Sequence, residues 1–145
     1  MLTSRAMKWL LVGVFLVSPA LAAQAPSDAP QPVASTKQLM LDIIHPASNA
    51  LLLLVNRGGP ADDKEWAEAR RSALILAESG NLLMMRNRAA GWTADAKLLT
   101  DAGAAAYKSV ETKDVKALAA TSERIDAACT SCHKHSRPTV FPASK

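Results

Sequence analysis

Between residues 36 and 137, apolar side chains return every three or four positions in four successive stretches, and no segment gives a convincing strand pattern. Amphipathic helices joined by short loops hide their apolar stripes only by packing on one another. The expected fold is therefore all-α, an antiparallel four-helix bundle running up-down-up-down over residues 36–137.

The first helix is expected over 36–56, with Met40, Ile43, Ile44, Ala47, Leu51 and Leu54 on its stripe. Pro46 removes the hydrogen bond from its own nitrogen to the Asp42 carbonyl, so a kink or short break is expected near His45. Gly58, Gly59 and Pro60 stop the segment. Asp62 and Glu65 have capping-box spacing for a second helix, which carries Trp66, Ala69, Ala73, Ala77, Gly80 and Met84 and runs to about Asn87. After a loop over 88–92, Thr93 can cap a third helix with Ala94, Leu98, Ala102, Ala105 and Val110 on its stripe. A turn around 111–113 leads to the fourth, which carries Val115, Leu118, Ser122, Ile125, Cys129 and Cys132 and ends before Pro138. Residues 138–145 form a tail.

Ahead of the bundle, Arg5 and Lys8 precede an apolar core over 9–17 and then a run of small residues that includes Ala20 and Ala22. This order reads as a signal peptide, residues 1–22, cleaved near the Ala22/Ala23 bond. The apolar core is shorter than the ~20 residues that span a bilayer. A mature protein exported to the periplasm, without a permanent membrane span, is expected. Residues 23–35, with Pro26, Pro30 and Pro32, form a disordered or extended lead.

Loss of Arg5 and Lys8 with the signal lowers the formal charge from +4 to +2. No basic cluster interleaved with aromatics remains, which argues against nucleic acid as a partner. Beyond the signal, the only aromatic side chains are Trp66, Trp92, Tyr107 and Phe141. An alanine-rich core with so few rings either brings its helices very close or is completed by a bulky guest.

Both cysteines of the chain fall in Cys129-Thr130-Ser131-Cys132-His133, the C-x-x-C-H arrangement that attaches a c-type haem. On a helix, thiols three residues apart and an imidazole four beyond the first share one face. Cys129 and Cys132 can then add to the two haem vinyl groups while His133 reaches the iron from the same side. Three other readings compete. A thioredoxin-like pair opens a helix after a strand, and no strand precedes Cys129. A zinc site would recruit Cys129, Cys132, His133 and His135, but helix direction turns the last of these away. A plain disulfide would leave the adjacent His133 unexplained.

With an exported precursor, four helices and C-x-x-C-H in the last turns of the final helix, residues 36–137 resemble the class II cytochromes c, cytochrome c prime and its low-spin relatives. The resemblance implies one covalent haem c, with Cys129 and Cys132 as attachment points and His133 as proximal iron ligand. It also implies a basic residue four places after the histidine, which Arg137 supplies as a contact for a haem propionate. Ser136 departs from the pattern, since an aromatic is usual there. The residue opposite the iron comes from the first helix in this family. Met40 in that role gives a low-spin iron suited to passing single electrons between redox partner proteins. An apolar residue instead leaves a five-coordinate iron that binds nitric oxide or carbon monoxide.

His45 is a competing ligand, and Met40 a simple core residue in the plainer reading. His135 is expected to be exposed. Met84, Met85, Trp66 and Trp92 are expected in packing roles. Antiparallel homodimers through the first two helices occur in the family, and the apolar run 50–55 exceeds what one helix face buries. No nucleophile with a base and no phosphate loop is apparent, so a carrier is expected and not an enzyme.

Overall fold

The Asp62 carboxylate accepts the Glu65 N–H at 2.8 Å and opens one of four helices. These are α1 (Thr36–Asn56), α2 (Asp63–Met84), α3 (Trp92–Glu111) and α4 (Val115–Ser136). The computed structural model describes residues 31–86 and 90–140, and the regular structure among them is entirely helical. The signal peptide at 1–22, most of the lead and the end of the tail lie outside the described residues.

Local chemistry explains the boundaries. Ser35 and Gln38 form a capping box that starts α1: the Gln38 N–H donates to Ser35 Oγ at 3.2 Å, and the Ser35 N–H returns to Gln38 Oε1 at 2.9 Å. At α2 the expected box is only half made. Glu65 sends its carboxylate to the Ala61 N–H and to Arg57, both at 2.9 Å. α2 ends at Met84, earlier than the expected Asn87. Thr93 is not a cap; Gly91, in the left-handed region at φ 85°, turns the chain so that α3 begins with Trp92. Asp114 caps α4 by accepting the Ala117 N–H at 2.9 Å.

Pro46 does not break α1. Leu39–Ile44 wind as a π-helix in which the His45 N–H reaches back to the Met40 carbonyl, and α-helix resumes with Pro46 in its first turn. A proline in that turn has no α-helical donor bond to lose. The missing bond is therefore absorbed by a local change of winding, and the helix stays continuous.

Residue pairs fix the topology. Ala34 accepts from Arg86 while Arg57 pairs with Glu65, so α1 and α2 run antiparallel. Arg70 donates to Tyr107 at one end of α2 and Gly80 abuts Ala96 and Thr100 near the other, which sets α2 against α3 in the same sense. Asp95 meets Ser131 while Gly91 approaches His135, and α4 follows α3. α4 closes the bundle against α1.

α2 and α3 make the most intimate pairing, because Ala73, Ala77, Ala102, Gly103 and Ala106 present almost no side chain. A Cβ on Gly103 would stand 2.8 Å from the Ala77 Cα. The α3 stripe is a correction to the sequence pattern: Leu99, Ala102, Ala106 and Val110 are buried with Asp95 and Ser109, whereas Ala94 and Leu98 are exposed. The buried Trp92 indole lies in the first turn of the same inward face, and the polar residues on that face are buried with hydrogen-bond partners. On α1, Leu39 joins Ile44, Ala47, Leu51 and Leu54 in the core, while Ile43 is exposed. α1 is long and apolar enough to cross a membrane by length and composition alone, yet this stripe packs inside the bundle. Within the run 50–55, Leu51 and Leu54 are buried and Leu53 is exposed.

Candidate functional site

The first turns of α1 and α3 and the last turns of α2 and α4 meet at one end of the bundle, and there the core opens into a cavity of about 550 Å³. Elsewhere small residues let the helices touch. Here, among the described residues, large side chains such as Trp92 and Met40 line the space without filling it. Cys129, Cys132 and His133 of α4 line one wall, joined by Ala128 and Ser136. Met40, Leu41 and Ile44 of the π-helical segment line the α1 wall, and Trp92, Asp95, Ala96 and Leu99 of α3 and Leu83 of α2 complete it.

The structure thus gathers the motif and the anticipated α1 residue around one space. Cys132 is buried, Cys129 and His133 are half-buried, and both cysteines are free thiols. Burial pushes the Cys129 thiol up, with the Asp126 and Cys132 charges adding to the shift. Burial also raises Cys132, against a lowering contact with the Ser136 hydroxyl, and the Asp95 charge raises it further. At His133 burial is the larger cause and the Arg137 charge the smaller of a downward shift, which favours the neutral imidazole. Neutral imidazole is the form that offers a lone pair to a metal.

Arg137 caps α4, with its N–H on the His133 carbonyl at 2.8 Å, and lines the cavity edge together with Lys37. Lys37 was not anticipated from sequence. Its place one turn before Met40 is the signal that could have found it. Ser136, where the resemblance leads one to look for an aromatic, donates to the Cys132 carbonyl at 2.7 Å.

Other anticipated residues separate clearly. His45 is exposed but lines the cavity, and its carbonyl accepts the Ser48 hydroxyl at 3.0 Å. Trp92 is buried and faces the cavity, and its Nε1–H donates to the Leu83 carbonyl at 2.6 Å. Trp66 and Met84 pack against the core away from the cavity, and Met85 is exposed. His135 is exposed, as its direction on the helix implied, and its Nδ1 lies 2.8 Å from Asp95 Oδ2.

The geometry bears on the competing chemistries. α4 is continuous from Val115, so the cysteines sit at a helix C-terminus and not at the N-terminus that activates a thioredoxin-like thiol. His135 is held by Asp95 on α3, and among the described residues no three His, Cys, Asp or Glu side chains converge as a metal cluster. No protein-family model matches the chain, no curated protein shows significant similarity to it, and no solved structure matches it significantly.

Proposed function

We propose that this protein is an exported monohaem c-type cytochrome that carries single electrons in the periplasm, with haem c linked through Cys129 and Cys132 and ligated by His133. The observation that carries the reading is the 550 Å³ cavity bounded by both thiols and the imidazole on α4 and by Met40 on α1. Its size falls within the range of cofactor pockets, roughly 300–1,000 Å³. The donor set also fits, since two thiols and a neutral imidazole on one helical face are what attachment and proximal ligation require.

A bound haem would supply the one-electron couple, and the chain's residues would set its properties. His133 would offer its imidazole to the iron, Leu41, Ile44, Leu83, Leu99 and Trp92 would exclude water, and Lys37 and Arg137 would offer cations to the haem's carboxylates. Met40, half-buried on the α1 wall, would be the thioether available as a second iron ligand. Redox proteins are the partners this reading implies, and a second copy of the chain is compatible with the exposed Leu41, Ile43 and Leu53 of α1. The role is that of a carrier and not of an enzyme.

The test is a pyridine haemochrome spectrum of protein expressed with its own N-terminus in a host that assembles c-type haem. Covalent haem in the wild type and none in Cys129→Ala/Cys132→Ala is expected; a wild-type chain without haem overturns the proposal.

A second reading, a five-coordinate protein that binds nitric oxide or carbon monoxide, draws support from Leu41 and Ile44 beside Met40. Those apolar side chains would wall a small gas pocket if Met40 stayed off the iron. A low-spin spectrum unchanged by carbon monoxide, converted to a carbon monoxide-sensitive one by Met40→Ala, supports electron transfer. Sensitivity already present in the wild type supports the gas-binding reading.

A further inference from the structure

Asp95 is a buried carboxylate to which the proposed chemistry assigns no role, with only 5% of its surface exposed. Each of its oxygens has its own partner on α4: Ser131 Oγ donates to Oδ1 at 2.6 Å, and His135 Nδ1 lies 2.8 Å from Oδ2. An ionised carboxylate only accepts, so with Asp95 ionised the Nδ1–H of His135 is the donor of that contact. A buried charge persists where hydrogen bonds replace its water, and Asp95 has one bond for each oxygen.

Its position gives the charge a target. Ser131 lies inside the C-x-x-C-H segment and His135 two residues beyond it, one turn apart, so Asp95 holds one face of the motif's end of α4. Asp95 also lines the same cavity as Cys129, Cys132 and His133, and its field is felt at the Cys132 sulfur. Trp92, Ala96 and Leu99 are its apolar neighbours on the α3 wall, and the cations of the lining, Lys37 and Arg137, stand at the cavity edge. Low polarizability there leaves the charge weakly screened compared with a surface carboxylate.

Resting on the cytochrome reading above, we infer that Asp95 is an internal counter-charge that holds down the reduction potential of the haem while positioning the attachment segment through Ser131 and His135. Reduction adds one electron to the site and makes it more negative by one unit. A fixed anion in the cavity wall opposes that addition and favours the oxidised form.

The experiment equilibrates intact holoprotein with a soluble redox dye couple at a fixed ambient potential and reads the ferrous-to-ferric ratio from the haem spectrum. Asp95→Asn keeps the shape and removes the charge. The ratio is expected to rise about twentyfold, the size Coulomb's law gives for a unit charge across one helix-to-helix spacing at an effective dielectric near 20. For a one-electron couple that is a shift of about 77 mV. Asp95→Glu, which retains the charge, is expected to restore most of the wild-type ratio. Asp101→Asn, on the same helix but paired with Lys97 at the surface, leaves it unchanged.

If Asp95→Asn does not load haem, His135→Lys decides. It puts a permanent cation beside the carboxylate at an exposed position and is likewise expected to raise the ratio. An unchanged ratio in protein that carries covalent haem overturns the role of Asp95 and leaves the cytochrome reading standing. A wild-type chain that carries no covalent haem overturns both.

Discussion

The indole nitrogen of Trp92 donates a 2.6 Å hydrogen bond to the main-chain carbonyl of Leu83, fastening the first turn of α3 to the last turn of α2. Both residues line the cavity, so the bond also braces its floor. Trp92→Phe keeps an aromatic ring but leaves a buried carbonyl without this donor. A loss of about 0.5–1.5 kcal/mol is expected in urea unfolding, because the Leu83 carbonyl keeps the Arg86 N–H at 3.0 Å and only the indole bond is lost. A loss within a few tenths of a kcal/mol would show that the indole bond adds nothing to this fastening.

The α2–α3 contact depends on the absence of side chains, most sharply at Gly103. A methyl group there would press on the Ala77 backbone, and backbone in a helix gives way only if the helices separate. Gly103→Ala is expected to cost about 3 kcal/mol, at the upper end for overpacking, despite alanine's better helix propensity. Thermal unfolding checks this against Ala104→Gly, an exposed change one residue away that costs only about 1 kcal/mol of propensity. Equal melting temperatures for the two variants would contradict the close approach.

Removal of both thiols tests how far the guest supports the fold. Without attachment, the 550 Å³ cavity in Cys129→Ala/Cys132→Ala would be left to water or collapse. Loss of covalent haem together with most of the helical circular dichroism is expected, because a void that size deprives every lining residue of its contacts. A helical, cooperatively melting variant would show instead that α2, α3 and α4 stand without the guest.

Acid stability has a definite sign at Glu65. The Ala61 N–H, first, and then the Arg57 guanidinium hold its carboxyl below the ordinary glutamate value. A depressed folded-state pKa adds stability that is complete above the unfolded value, about 4.3, and is lost as pH falls through the lower folded one. Glu65→Gln is therefore expected to melt earlier than wild type at pH 7, with the gap closing as the pH is taken below about 4. A gap that persists unchanged into acid would mean that the side chain acts by packing and not by charge.

Much of the fold could be read from the sequence because helix periodicity and caps are local properties. The α2 stripe, the Ile44, Ala47, Leu51 and Leu54 positions of α1, the Leu118, Ile125 and Cys132 positions of α4 and the Asp62 cap follow from spacing alone. Ile43 and Val115, expected on their stripes, are exposed, and α4 buries Thr121 and Ala128 instead. α3 was misread because its inward positions include Asp95 and Ser109, whose burial depends on partners that spacing cannot reveal. Pro46 announced a disturbance but not its form, since a π-helical segment and a break both dispose of the same missing bond. Cys129, Cys132 and His133 were apparent from the motif, and Met40 from its helix. Asp95 and Lys37 were not: one is buried by an α3 register that only tertiary packing fixes, and the other looks like an ordinary surface lysine until the cavity is seen.

The central claim, a haem bound covalently through the cysteines of α4, is tested most directly by mass spectrometry of the denatured full-length expression product. The account predicts a processed chain heavier by one haem, with the added mass on the peptide that contains Cys129 and Cys132. A processed chain at its bare mass, or with those cysteines joined only to each other, would contradict it.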